Sequence, residues 1–231
     1  IEDAKFEAVT LEQIKAAAEA GDPVAEDKLA ERYIMRMDTK QAEFWYRKAA
    51  AQDYAHAQGK LAEMLLNRAR LSFGLKPDAK QAIGEEGVKW AILAANQGNQ
   101  LGEAKLAEAY SEAKFVTQDW IQAYKWAELA ARQPGSMFNP AGVEARSIRD
   151  SAVLKLSDQQ LAEARKLVAE FSPHSATKGD IPVPAWVKSI RLSGLSGPAK
   201  HRLAIINDTT FAVGESNVIK VAGKKVNVTC Q

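Results

Sequence analysis

Apolar side chains recur every three to four positions along the first 171 residues. Leu29 and Tyr33 lie on one such stripe, and Ala42, Trp45 and Ala49 lie on the next. This period predicts amphipathic helices, and about eight or nine of them fit into the segment. Polar N-caps and terminal glycines mark the expected boundaries. These signals are Thr10 with Gln13, Asp22-Pro23, Asn139-Pro140, Ser157 with Gln160, and the glycines Gly21 and Gly98.

The helical pattern is a repeat of two alternating phrases. Lys-Leu-Ala-Glu occurs at 28–31, 60–63 and 105–108, and each copy is followed by an aromatic residue that precedes a run of small residues. A helix pair cannot bury its apolar stripe alone, so such pairs stack into a curved array. We predict an α/α superhelical solenoid whose inner face is formed mainly by the first helix of each pair. The recurring aromatic positions, expected to lie in the core, begin at Trp45, Trp90 and Trp126.

The repeat is uneven in length. The first two tryptophans are 45 residues apart, whereas the second and third are 36 apart. The extra residues fall between Leu71 and Gly87, where Gly74, Pro77 and Gly84 cluster. Glycine and proline punctuate loops, so we expect a loop insertion in the second repeat.

The pattern changes after residue 171. Pro173, Pro182 and Pro184 interrupt any helix, and short runs of β-branched residues follow. We predict a helical domain at 1–171, a linker at 172–186 and a small all-β domain at 187–231. The expected strands are 187–192, 202–207, 210–213, 218–221 and 226–230, with a hairpin tip between the last two.

The charge follows the same division. Residues 1–171 contain 23 Lys and Arg against 26 Asp and Glu, a net charge of −3, whereas residues 172–231 contain 8 against 3, a net charge of +5. A basic tail makes an anionic polymer or lipid an alternative ligand. Trp186 and Phe211 are its only aromatic residues, so no stacking surface for single-stranded nucleic acid and no specific nucleic-acid partner is expected.

Motifs that carry chemistry are missing from the sequence. Gly214-Glu215-Ser216-Asn217-Val218 lacks the closing glycine of a nucleophile elbow, and the segment around Gly223 lacks the spacing of a phosphate-binding loop. The histidines have no partner at metal-ligand spacing, and Cys230 stands alone. We therefore predict no catalytic residue, no metal, no cofactor and no enzymatic activity. The histidines are His56, His174 and His201.

The two phrases, together with Ala-Ala-x-Gln-Gly at 94–98, resemble the Sel1-like repeat family, relatives of the tetratricopeptide repeats. The resemblance covers roughly residues 20–171. It implies a solenoid that works as an adaptor in bacterial envelope, secretion or signalling assemblies. The chain departs from the family pattern where Ala30, Ala62 and Ala107 replace the glycine after the key leucine.

The β-rich tail is weakly similar to small periplasmic modules of pilus-assembly and type II secretion accessory proteins. This similarity implies a bacterial cell envelope, with the periplasm or the exterior as the expected compartment and the cytoplasm as the alternative. No run approaches the roughly 18 apolar residues of a membrane span. Because Ile1 is not a methionine, we expect that a leader or a longer N-terminal region was removed.

The candidate binding surface follows from the resemblance. The residue two positions after the core leucine is expected to point into the groove, and it is Glu31, Glu63 and Glu108. With Asp27, His56 and Glu112 nearby, this predicts an acidic ladder that attracts a basic protein or peptide partner. The alternative is a solvated helix face, for which Lys-Leu-Ala-Glu is equally suitable.

The sequence therefore favours a scaffold or adaptor that binds other proteins in a bacterial envelope assembly. Two alternatives remain open at this point. One is a hydrolase with its site in the solenoid groove, and the other is binding of an anionic polymer or lipid by the basic tail.

Overall fold

The computed structural model describes residues 10–174 with their side chains and the backbone of five strands between residues 192 and 229. The chain divides into two compact units, Ile1–Ile181 and Pro182–Gln231. Within residues 10–174 the first unit contains nine α-helices. They are α1 Leu11–Glu19, α2 Pro23–Met35, α3 Thr39–Ala51, α4 Ala55–Leu71, α5 Pro77–Asn96, α6 Gln100–Glu112, α7 Trp120–Arg132, α8 Pro140–Val153 and α9 Asp158–Glu170.

The predicted helix boundaries are confirmed by their caps. Thr10 and Gln13 form a capping box at α1, and Ser157 forms the same box with Gln160 at α9. The Asp22 carboxylate accepts from the backbone N–H of Val24 at 2.9 Å. The glycines that follow α1 and α5 have φ values of +93° and +76°, a left-handed conformation that glycine adopts without strain.

The helices pack as antiparallel pairs, α2 with α3, α4 with α5 and α6 with α7. First helices also pack on one another, α4 on α6 and α6 on α8, whereas α5 and α7 make no comparably extensive contact. The helices α4, α6 and α8 therefore form one layer of first helices, which we call the inner layer because the repeat pattern predicts it on the inner face. At the end of the unit, α9 packs on α7.

The core is built from leucine and alanine at equivalent positions of the repeats. Leu29, Leu61 and Leu106 are almost completely buried, and the alanine that follows each of them is fully buried. A glycine would provide no side chain at this contact, so alanine adds apolar area while still allowing close approach. Trp126 is buried, and Trp45 and Trp90 pack against the core clusters.

One buried polar position recurs in the three pairs. Glu26, Gln58 and Glu103 occupy the fourth position of their helices and are buried. Each accepts from a glutamine near the end of the second helix of its own pair, over 2.7, 2.8 and 3.2 Å respectively. The donors are Gln52, Gln97 and Gln133. A side-chain hydrogen bond thus connects the two helices of each pair at the same place.

The predicted loop insertion between Leu71 and Gly87 is wrong. The connection between α4 and α5 spans only residues 72–76, and the extra residues lengthen α4 and α5. Pro77 starts α5 rather than interrupting it, because the first turn of a helix needs no N–H donor there. The two helical glycines are sites of close approach, with Gly84 against the Phe115 ring and Gly87 against Leu66.

Gly102 fixes the distance between α6 and α5. A Cβ at this position would overlap the Cβ of Ala94 and lie 2.8 Å from the backbone nitrogen of Ala95. We expect Gly102→Ala to lower the free energy of unfolding by about 1–3 kcal/mol, since backbone cannot move aside as a flexible side chain can. Gly74→Ala is the control, because a Cβ added there would have no atom within 4 Å. Equal urea midpoints for the two variants would contradict this account of α6.

The second unit contains five strands in its described backbone, β1 Leu192–Ser196, β2 Leu203–Ile206, β3 Thr209–Ala212, β4 Ser216–Val221 and β5 Lys224–Thr229. They form two antiparallel sheets, one with the order β1-β2-β3 and one of β4 paired with β5. Val221 pairs with Lys224, where the hairpin tip was predicted. Residues 175–191, which include most of the predicted linker, and Cys230 lie outside the described residues. The single all-β domain stays a prediction.

Candidate functional site

Each Lys-Leu-Ala-Glu phrase forms its own ion pair. Residues three apart lie on one helix face, so the lysine and glutamate meet while the leucine between them turns into the core. The Nζ to Oε distances are 2.9 Å for Lys28 and Glu31 and 3.0 Å for Lys105 and Glu108. In the second copy, Lys60 lies 3.5 Å from Glu63. The predicted acidic ladder is therefore compensated by a lysine at every step.

The first step of the acidic ladder contains a histidine as well as two carboxylates. Asp27 and Glu31 are four residues apart on α2 and share one face, and His56 lies in the first turn of α4. The His56 Nδ1 lies 2.8 and 3.0 Å from the two carboxylate oxygens of Asp27. Asp27 is 1% exposed and His56 is 40% exposed. A buried acid is thus joined to an accessible imidazole on the neighbouring repeat.

The raised pKa values of two tyrosines reflect the negative charge of this region. Burial raises the pKa of the Tyr46 hydroxyl, and Asp27, Glu31 and Glu63 raise it further. Burial and Asp27 likewise raise the pKa of Tyr54, which precedes α4. Four of the six residues that the sequence predicted for the binding surface are therefore linked, the three acids through their effect on Tyr46 and His56 through its contact with Asp27. They are Asp27, Glu31, His56 and Glu63. We call this group the acidic cluster.

The other two predicted residues, Glu108 and Glu112, belong to a separate ionic network. Glu108 is shared by Arg70 of α4 and Lys105 of α6, and Lys105 also lies 2.8 Å from Glu144 of α8. The side chains of Arg70, Lys105 and Glu108 are 17, 9 and 11% exposed. Glu112 lies 3.4 Å from Arg70. This inner network joins three successive first helices.

Neighbouring positive charges keep Glu108 ionised. Burial alone would raise the pKa of Glu108, but Arg70 and Lys105 together lower it below the ordinary value. Burial raises the pKa of Glu144, which lies at the end of the network. The sequence did not reveal Arg70 or Glu144 as members, because neither belongs to the repeated phrase. Glu108 stabilises the inner layer, and its carboxylate is mostly inaccessible to a partner.

Three side chains of the acidic cluster have the chemistry of metal ligands. One donor atom each from Asp27, Glu31 and His56 lies within 4.8 Å of the other two. The sequence predicted no metal ligand set, because 24 residues lie between Glu31 and His56 and no short motif contains both. The packing of α3 on both α2 and α4 brings them together.

A depression of about 310 Å³ lies between α4, α5 and the segment before α7. Its charged lining residues are Arg70, Lys80 and Lys114. Its lining contains no serine, cysteine, histidine or carboxylate that would act as a nucleophile or a general base. The predicted alternative of a hydrolase gains no support from this cavity.

Similar solved structures are helical repeat proteins of bacteria. A protective antigen of uropathogenic Escherichia coli strains that displays an SLR fold is 25% identical, with a TM-score of 0.56 over 86% of this chain and 40% of that one. A Sel1 repeat protein from Oxalobacter formigenes is also 25% identical, with a TM-score of 0.46 over 61% of this chain and 97% of that one. One from Klebsiella pneumoniae is 25% identical, with a TM-score of 0.44 over 69% and 73% of the two chains.

This chain spans 40% of the length of the E. coli antigen. The comparison of folds rests on this antigen, with its TM-score of 0.56. No family model matches the sequence, and no curated protein matches it. In the part of the chain that the structure describes, no helix combines the length and the apolar character of a membrane span.

Proposed function

We propose that this protein, whose helical unit is an array of Sel1-like repeats, is a scaffold that binds another protein. The observation that carries the proposal is that the first helices α2 and α4 present accessible ionic side chains at equivalent positions of the repeat. Stacked helix pairs create extended surfaces of this kind, and repeat proteins use them for binding.

The acidic cluster is the proposed contact surface. The side chains of Lys28 and Glu31 are 52 and 30% exposed, and those of Lys60 and Glu63 are 35 and 33% exposed. Exposed pairs of this type are worth about 0–1 kcal/mol, so a lysine or arginine of a partner can replace the internal lysine at little cost. The carboxylate of buried Asp27 adds a further negative charge, which stays in place when a partner replaces the internal lysine. We therefore infer that the partner segment is basic.

A defined set of peptides tests the proposal. Immobilised peptides of equal length and graded Lys and Arg content are incubated with the wild type and with Glu31→Gln/Glu63→Gln. We expect the wild type to retain the basic peptides in a salt-sensitive manner and the double variant to bind them several-fold more weakly. Glu163→Gln/Glu170→Gln on α9 is the matched control, since it changes the net charge equally at exposed positions. Equal retention of all three proteins, or no preference for basic peptides, refutes the acidic contact surface.

We also propose that the protein works in the bacterial cell envelope. The description of the E. coli structural neighbour as a protective antigen supports this. Fractionation of cells that express the natural full-length protein is expected to recover it outside the cytoplasm. Exclusive recovery in the cytoplasmic fraction contradicts the envelope location.

A further inference from the structure

We propose that Asp27, Glu31 and His56 bind one first-row divalent metal ion, of which Zn²⁺ is the representative. The inference goes beyond the scaffold function and does not rest on it. Two helices supply the ligands, Asp27 and Glu31 from α2 and His56 from α4. Their donor atoms converge within 4.8 Å before any ion is added.

The donor set matches this class of metal. Imidazole nitrogen favours zinc and its first-row neighbours, and carboxylate oxygens complete such sites at about 2.0–2.2 Å from the ion. Two ligands at about 2.1 Å from a tetrahedral ion are separated by about 3.4 Å. The Nδ1 of His56 lies 2.8 and 3.0 Å from the Asp27 oxygens. Both groups can therefore hold one ion after separating by roughly half an ångström.

Glu31 needs the largest adjustment. Its carboxylate contacts Lys28 over 2.9 Å and its side chain is 30% exposed. Rotation of a partly exposed side chain away from an exposed lysine costs little, because such pairs contribute at most about 1 kcal/mol. Three protein ligands leave at least one coordination position for water or for a group of a partner, as in accessible zinc sites.

The burial of Asp27, which is paired with His56, strengthens its attraction for a cation because water does not screen its charge. Its side chain is 1% exposed, and the group that faces it is an imidazole rather than a lysine or an arginine. The Asp27, Glu31 and Glu63 carboxylates act together on the Tyr46 hydroxyl. Buried carboxylates are normally paired or coordinate metals. A dication placed between Asp27 and Glu31 compensates both charges at once.

Binding would connect two repeats. α2 and α4 are the first helices of successive pairs, yet their direct packing is less extensive than that of α4 with α6. An ion held by both helices binds only the folded arrangement, so it stabilises that arrangement in proportion to its free concentration. At about 100 times the dissociation constant, the melting temperature is expected to rise by about 5–10 °C.

The test uses the full chain with Zn²⁺ in isothermal titration and Co²⁺ in visible absorbance. We expect one ion per chain and a Co²⁺ spectrum typical of nitrogen and oxygen ligands. Glu31→Gln and His56→Asn should each weaken binding by about 10- to 100-fold or more. Glu163→Gln on α9 is the matched control, since it removes one exposed carboxylate that belongs neither to the ligand set nor to the acidic cluster. Its affinity should stay close to that of the wild type.

Two further measurements keep the outcome unambiguous. The metal-free melting temperatures of Glu31→Gln and Glu163→Gln establish that both variants fold. His174→Asn/His201→Asn removes the other two histidines and should retain the wild-type affinity and the Co²⁺ spectrum. The proposal fails if the wild type does not bind Zn²⁺ at 1:1 stoichiometry, if His56→Asn binds equally well, or if the double histidine variant loses binding.

Discussion

At pH 8, Glu103→Gln is expected to be more stable than the wild type, by up to about 3 kcal/mol. Burial raises the pKa of the Glu103 carboxyl from 4.5 to about 7, although Gln133 and Lys125 oppose the shift. The folded protein therefore holds a proton at a pH where the unfolded chain has released it. An amide at this position carries no charge at any pH, so the cost of burying an ionised carboxylate disappears.

The pH dependence follows from the direction of this shift. The stability that protonated Glu103 contributes is fully present below about pH 4.5, and it is lost as the pH rises to about 7 and above. Wild type and Glu103→Gln should consequently have similar unfolding free energies at pH 4.5 and diverge as the pH rises to 8. Urea unfolding followed by the helical circular dichroism signal measures this difference at each pH.

The second pair of the array provides a natural precedent for the substitution. Gln58 occupies the position of Glu103 and accepts from Gln97 at 2.8 Å, so an amide oxygen serves this contact. Gln58→Glu is the reciprocal variant, and we expect it to introduce a loss of stability at high pH. A Glu103→Gln variant that is less stable than the wild type at pH 8 would show that ionised Glu103 is stabilised by its surroundings.

Glu108→Gln is expected to lower the free energy of unfolding by about 2–4 kcal/mol. The substitution leaves Arg70 and Lys105 partly buried without the carboxylate that they share. Arg70 retains Asn67 as an acceptor at 3.0 Å, and Lys105 retains Glu144 at 2.8 Å, which limits the loss. The urea midpoint at neutral pH is the measurement, because Glu108 is ionised there.

Glu63→Gln is the matched comparison for this variant. It lies at the same position of the preceding phrase, but its side chain is 33% exposed and its lysine is 3.5 Å away. Exposed pairs contribute at most about 1 kcal/mol, so this variant should differ little from the wild type. Equal destabilisation by the two substitutions would mean that the inner network does not distinguish Glu108 from the exposed copies of the phrase.

The helices could be predicted from the sequence because their signals are local. Capping boxes, proline in the first turn and terminal glycines act within a few residues, so Thr10, Asp22 and Gly98 marked their boundaries correctly. The glycines of α5, by contrast, led to the wrong prediction of a loop. Gly84 and Gly87 allow close contact with Phe115 and Leu66, respectively. These partners are distant in sequence, so rules based on neighbouring residues could not identify them.

Three of the six candidate binding residues were chosen from one repeated phrase, and the structure separates these three into two environments. Glu31 and Glu63 are accessible, whereas Glu108 is enclosed by Arg70 and Lys105. The same four letters therefore have different exposure in different repeats. Exposure depends on the helices stacked above and below each copy, which the phrase does not specify.

The sequence by itself determined that this chain forms stacked helix pairs, since amphipathic periodicity and repetition leave each pair with an apolar face that only another pair can cover. Only the tertiary structure decided which polar groups meet. His56 joins Asp27 across 29 residues, and Arg70 joins Glu108 across 38. Charge and coordination depend on distances of a few ångströms between separate helices, and those distances are set by packing of the whole array rather than by any local pattern.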